Sequence, residues 1–151
     1  MSLTIAVESP LQEDVRALVD AAHAYSGSLY PAESNHFLGI EALARGDVVF
    51  LVARIEGRAI GTGALKRHDA RLGEIKQIWT ASDCRGAGVG KRLLAHLEAE
   101  GRKVGLTRLA LETGTRNTEA LSLYRRSGFT DCPPFASYGL DPLSVFLAKD
   151  L

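Results

Sequence analysis

Seven residues, Arg85-Gly86-Ala87-Gly88-Val89-Gly90-Lys91, restrict this chain more than any other stretch. They lie between a β-rich run, 73–80, and a long helical pattern. Glycine at alternate positions lets the backbone approach a ligand closely and leaves N–H groups free to point one way. The following helix adds its unpaired first-turn N–H groups and the positive end of its dipole. A strand must enter this loop and a helix must leave it, and the joint suits an anion, most simply a phosphate. Lys91 supplies a cation. A Walker A loop needs Gly-x-x-x-x-Gly-Lys followed by Ser or Thr. Here Gly86 to Gly90-Lys91 is one residue short, and Arg92 stands where the magnesium-binding hydroxyl belongs. The dinucleotide fingerprint Gly-x-Gly-x-x-Gly follows the first strand of a parallel unit, whereas this Gly-x-Gly-x-Gly comes after a meander. A glycine turn with no ligand is the plain alternative; Arg85, Lys91 and the strand–helix setting weigh against it.

The rest of the chain reads around that joint. Leu3 to Val7 is a first strand. Ser9-Pro10 opens a helix to about Tyr25, with Val15, Leu18, Val19 and Ala22 on one face, and Ser26-Gly27-Ser28 stops it. Asn35 caps a second short helix that turns Phe37, Ile40 and Leu43 inward and ends before Gly46. Val48 to Ile55 and Ala59 to Lys66 form a hairpin about Glu56-Gly57-Arg58, and Gly73 to Thr80 is the next strand. A helix then runs from Gly86–Gly90 to about Val104 on Val89, Leu93, Leu94 and Leu97. Arg108 to Thr113 is a strand, Asn117 to Ser127 a helix, Gly128-Phe129 leads into a strand to about Cys132, and Ser144 to Lys149 is the last strand. This predicts one α/β (α+β) domain over 1–151: a mixed, mostly antiparallel sheet of six to seven strands with helices on both faces.

Composition narrows the partners. The 151 residues carry 18 Lys plus Arg against 18 Asp plus Glu, which argues against nucleic acid or an anionic membrane. No apolar run reaches the roughly 18 residues of a membrane helix, and Met1 to Pro10 lacks the basic start and apolar core of a secretory signal. A cytoplasmic protein is expected. Cys84 and Cys132 belong to no metal or disulfide pattern, and no metal is expected.

Two motifs carry a resemblance. Arg85-Gly-Ala-Gly-Val-Gly resembles the Arg/Gln-x-x-Gly-x-Gly/Ala signature of the Gcn5-related N-acetyltransferases, the GNAT superfamily. Asn117, Ala120, Leu123-Tyr124 and Gly128-Phe129 are similar to that family's second motif. Tyr30 to His36, Gly73 to Lys76, Leu111 to Gly114 and the tail from Cys132 further resemble a bacterial subgroup that carries indole-acetate-related acetyltransferase labels, taken here as a subgroup name and not as a substrate. The resemblance implies a splayed, V-shaped cleft holding acetyl-CoA as co-substrate. The diphosphate would meet the N–H groups of Arg85, Gly86, Gly88, Val89 and Gly90, with Lys91 beside them. Pantetheine would pair with the backbone of Ile78 and Thr80, steadied by Asn117, whose other reading is a helix N-cap.

The implied activity is acetyl transfer to a primary amine, on a small molecule, by direct attack in a ternary complex. A protein or peptide acceptor, and a noncatalytic CoA-binding sensor, are the alternatives. Glu74 matches the general-base position, its plain reading being a surface carboxylate paired with Lys76 or Arg71. A backbone N–H near Ile78 would meet the oxyanion, and Tyr124 matches the general acid. Glu33, His36 and Glu112 are the acceptor-side residues. Trp79 packs on the sheet or walls the acceptor pocket; His23, His96 and the cluster Glu98, Glu100, Arg102, Lys103 read as surface. Relatives of this kind form dimers, and a homodimer is left open.

Overall fold

Alternation in the central strands dictates a sheet buried on both faces. In the computed structural model, which describes residues 2–151, Phe50 and Val52 turn to one side and Leu51 and Ala53 to the other, all four buried. Successive strand side chains point to opposite faces, so each face needs its own helical cover. The first face packs Phe50, Val52, Ala59 and Ala64 against Val15, Val19 and Leu43 from helices α1 (Glu13–Leu29) and α2 (Ile40–Leu43). The second packs Leu51, Ala53, Leu65 and Ile75 against Val89, Leu93, Leu94 and Leu97 of helix α3 (Val89–Lys103). Burying such a side chain stabilises the fold by about 1.5–3 kcal/mol.

The sheet has seven strands: β1 (Leu3–Val7), β2 (Val48–Ile55), β3 (Arg58–Arg67), β4 (Leu72–Thr80), β5 (Arg108–Gly114), β6 (Thr130–Asp131) and β7 (Ser144–Asp150). Their order is β1-β2-β3-β4-β5-β7-β6. Every pairing is antiparallel except β4 with β5. That parallel pairing covers only Leu72–Glu74 against Arg108–Ala110. Beyond it β4 runs on to Thr80 and β5 to Gly114, so the two strands part. A bulge in β4 lies on the splayed stretch: Ala64 pairs with Lys76 but Thr62 with Trp79, and the extra residue, Gln77, has φ +59°. Buried Thr62 holds the bulge by donating its hydroxyl to the Gln77 carbonyl at 2.8 Å. Helix α4 (Thr118–Arg126) follows β5.

Several expected boundaries differ. Helix α1 runs through Ser26-Gly27-Ser28 to Leu29, because Arg116 donates to the Leu29 carbonyl at 2.9 Å and the Tyr30 N–H returns to the Ser26 carbonyl. Gly39, not Asn35, occupies the cap position of α2. The Asn35 amide instead donates to the carbonyls of Tyr30 and Pro31, and Phe37 is 48% exposed rather than inward. Glu98 is no solvated helix-end residue: it is buried and meets Lys149 of β7 at 2.8 Å. Strand β6 stops at Asp131, one residue short of Cys132. No helix among the described residues is long and apolar enough to cross a membrane.

Candidate active site

The glycine-rich joint begins with backbone that only glycine adopts without strain. Gly86 has φ +84° and Gly88 φ +79°, and Gly88 is the N-cap of α3. No side chain caps this helix start, so its first N–H groups are available to a ligand. A Cβ on Gly90 would lie 2.9 Å from Leu123 Cδ2 of α4, so its absence lets α3 and α4 approach. Arg85 donates Nε to the Thr80 carbonyl at 3.1 Å, with its guanidinium carbon 4.7 Å from the Trp79 ring centre.

From this joint a cavity of 1280 Å³ follows the split between β4 and β5 toward α1. Ile78, Thr80, Arg85, Gly86, Gly88, Val89, Gly90, Lys91, Asn117 and Tyr124 all line it. Tyr124 is 7% exposed, its ring edge-on to Phe129. Burial first, and the charge of Glu112 second, push its hydroxyl well above the ordinary phenol range. It is therefore a proton-bearing donor at neutral pH.

Asn117 stands at the N-cap position of α4, but its side chain makes no capping bond to the helix. Its amide donates to Thr113 Oγ1 at 3.1 Å, and its carbonyl accepts from the Tyr30 hydroxyl at 3.3 Å. The Tyr30 oxygen in turn accepts the Arg116 N–H at 2.9 Å. Its ring occupies the space where a Cβ on Gly114 would stand. The end of α1 is thus clamped onto the turn between β5 and α4.

The two candidate carboxylates differ in setting. Glu112 of β5 lines the cavity, half-buried, and accepts the Ser144 hydroxyl at 2.7 Å through Oε2. Burial raises its pKa above 4.5, more than the Ser144 bond and the charges of His36 and Lys76 lower it. Glu74 is 2% exposed and does not line the cavity, which corrects its reading as a surface carboxylate. Oε1 meets His68 Nε2 at 2.7 Å; Oε2 accepts from Lys76 at 3.0 Å and from the Tyr138 hydroxyl. Burial raises its pKa, but the Lys76 charge and the bonds from Tyr138, His68 and Lys76 together hold it below the ordinary 4.5. Arg71 is not among these partners. Lys76 also donates to the His36 carbonyl at 2.8 Å and to Tyr138 at 2.9 Å. This buried knot joins β4 to the segment before α2 and to the loop 132–143.

Of the residues expected on the acceptor side, His36 lines the cavity with its ring edge against Tyr138. Glu33 is exposed and stands outside the wall; its neighbour Ser34 lines it and donates to Asp141 at 2.7 Å. His23 is not a free surface residue: it stacks on Phe37 and bonds Gln77 inside the cavity. Trp79 also lines the wall. Sequence reasoning missed Tyr138 and His68, since a tyrosine in an aperiodic loop and a turn histidine carry no pattern.

The model of the acetyltransferase (GNAT) family matches residues 14–129. The chain belongs to this family. An IAA acetyltransferase from Azospirillum brasilense is 46% identical to this acetyltransferase over 151 residues, 99% of each chain. A crystal structure of a candidate acyl-CoA N-acyltransferase from Klebsiella pneumoniae superposes with TM-score 0.84 at 34% identity, covering 99% of this chain and 97% of that one. The PaiA N-acetyltransferase from Thermoplasma acidophilum, solved with coenzyme A, superposes at 0.73 and 22% identity over the whole of both chains. At that identity the likeness concerns the fold.

Proposed function

We propose that this GNAT acetyltransferase moves the acetyl group of acetyl-CoA to the primary amine of a small molecule by direct attack in a ternary complex. The observation that carries the reading is the single cavity joining the uncapped start of α3 to Tyr124 and Glu112 through the β4–β5 split. The diphosphate would sit on the N–H groups of residues 85–90, with Arg85 and Lys91 adding charge. Pantetheine would fill the split against the backbone of Ile78 and Thr80, with Asn117 beside it. A backbone N–H near Ile78 would meet the oxyanion.

The acceptor arrives mostly as an ammonium, since an amine has a pKa near ~10. It loses one proton before attack and a second as the amide forms; one ends on the CoA sulfur and the other in solvent. Glu74 was the expected base, but its carboxylate is enclosed by three partners and held below its ordinary pKa. Glu112 faces the cavity with its pKa raised, and we assign it the proton uptake. Glu74 then serves to hold Lys76 and Tyr138. Tyr124 donates to the departing thiolate.

The test is release of free CoA thiol from acetyl-CoA with a panel of amines. Tyr124→Phe should lower turnover about 10²-fold or more while acetyl-CoA still binds. Unchanged turnover would remove Tyr124 from the reaction. Binding of acetyl-CoA without turnover on any amine would leave a CoA-sensing module instead.

A further inference from the structure

The part of the cavity beside α1 is walled by aromatic rings. His23 and Phe37 stack face to face, with centroids 4.0 Å apart and planes 15° from parallel. Tyr25 and Trp79 pack against each other at 5.6 Å. All four line the cavity, yet Phe37 stays 48% exposed and Tyr25 44% exposed. A large ring left half open costs free energy unless something covers it. His23 covers one face of Phe37.

The shelf is built rather than incidental. His23 Nε2 lies 3.0 Å from Gln77 Oε1, and Gln77 is the left-handed residue of the β4 bulge. The stack is therefore tied to the strand that would carry the cofactor's reactive end. Charge excludes a polycationic acceptor. Only two carboxylates line the cavity among the described residues, Glu112 and Glu119. Glu119 stands in the first turn of α4, three residues from Arg116, which also lines the wall. Several ammonium groups would need several carboxylates to offset their loss of water; the whole cavity wall offers these two, one of them beside an arginine.

The geometry points to an acceptor of one chemical class: a monoamine bearing a flat aromatic ring, with the ring on the Phe37–His23 shelf and the ammonium directed to Glu112. This inference rests on the acetyl-transfer reading above and names its substrate class.

The experiment compares kcat/KM of the full chain for 2-phenylethylamine, n-butylamine, spermidine and an aminoglycoside, followed by CoA thiol release. The aromatic amine should exceed n-butylamine about tenfold and exceed both polycations. In Phe37→Ala that aromatic-to-aliphatic ratio should fall about tenfold, through KM, with acetyl-CoA affinity by calorimetry as the folding control. A ratio that does not move in Phe37→Ala, or a preference for spermidine or the aminoglycoside, overturns the acceptor class and leaves acetyl transfer standing. Silence with all four amines overturns the class and counts against acetyl transfer to small amines as well.

Discussion

At the scale of single residues, two glutamates on neighbouring strands are driven in opposite directions by what surrounds them. Glu112 gains burial and one hydroxyl, and its pKa rises. Glu74 gains burial together with an ammonium, a phenol and an imidazole, and its pKa falls. A base must be ionised to accept a proton. With Glu112 as base, kcat/KM should climb with pH through a pKa above 4.5, and Glu112→Gln should flatten that limb while losing about 10²-fold or more in rate. A wild-type limb that survives in Glu112→Gln would take the proton uptake away from this residue. Tyr124 needs no such tuning: raised above the phenol range, it keeps its proton at every pH of interest.

At the scale of elements, the start of α3 depends on glycine where the chain turns left-handed. At Gly88 a Cβ would meet nothing within 4 Å, so the constraint is conformational rather than steric crowding by neighbours. Gly88→Ala should cost about 1–2 kcal/mol through the left-handed conformation alone. Relief of that strain would turn the first N–H groups of α3 away from the anion. The expected result is a weaker acetyl-CoA affinity by calorimetry, together with a lower Tm. An unaltered affinity would mean the diphosphate does not use this joint. The hairpin from β2 to β3 follows the same logic in a plainer setting: Glu56 and Gly57 both take positive φ, the conformation of the two-residue turn that matches strand twist.

At the scale of the molecule, Glu74, Lys76, His68 and Tyr138 bind together segments far apart in the chain. Glu74's folded pKa is depressed, so its contribution to stability is fully present above the ordinary carboxylate pKa of 4.5. It is lost as pH falls through the lower folded value. Glu74→Gln should therefore lower Tm at pH 7, and the gap from wild type should close as pH drops below the usual carboxylate range. A gap independent of pH would mean the side chain contributes by shape alone. Because Lys76 also holds the His36 carbonyl and Tyr138, loss of the knot should loosen the acceptor wall, read as a higher KM for the amine.

What the sequence determined by itself was local. Strand alternation, the 3.6-residue spacing of Val89, Leu93, Leu94 and Leu97, and glycines at a strand–helix joint are each set by neighbours along the chain, and these elements stand where that pattern puts them. The end of α1 was not legible, because Arg116 holds the Leu29 carbonyl from across the fold, and neither was the start of α2, because the Asn35 amide turns back to the Tyr30 and Pro31 carbonyls. Nor was the contrast between Glu74 and Glu112. A carboxylate's pKa depends on what is packed around it, and Tyr138, 64 residues from Glu74, reaches it only because β7 returns between β5 and β6. Burial and partners across such separations arise on folding, and only the tertiary structure decided them.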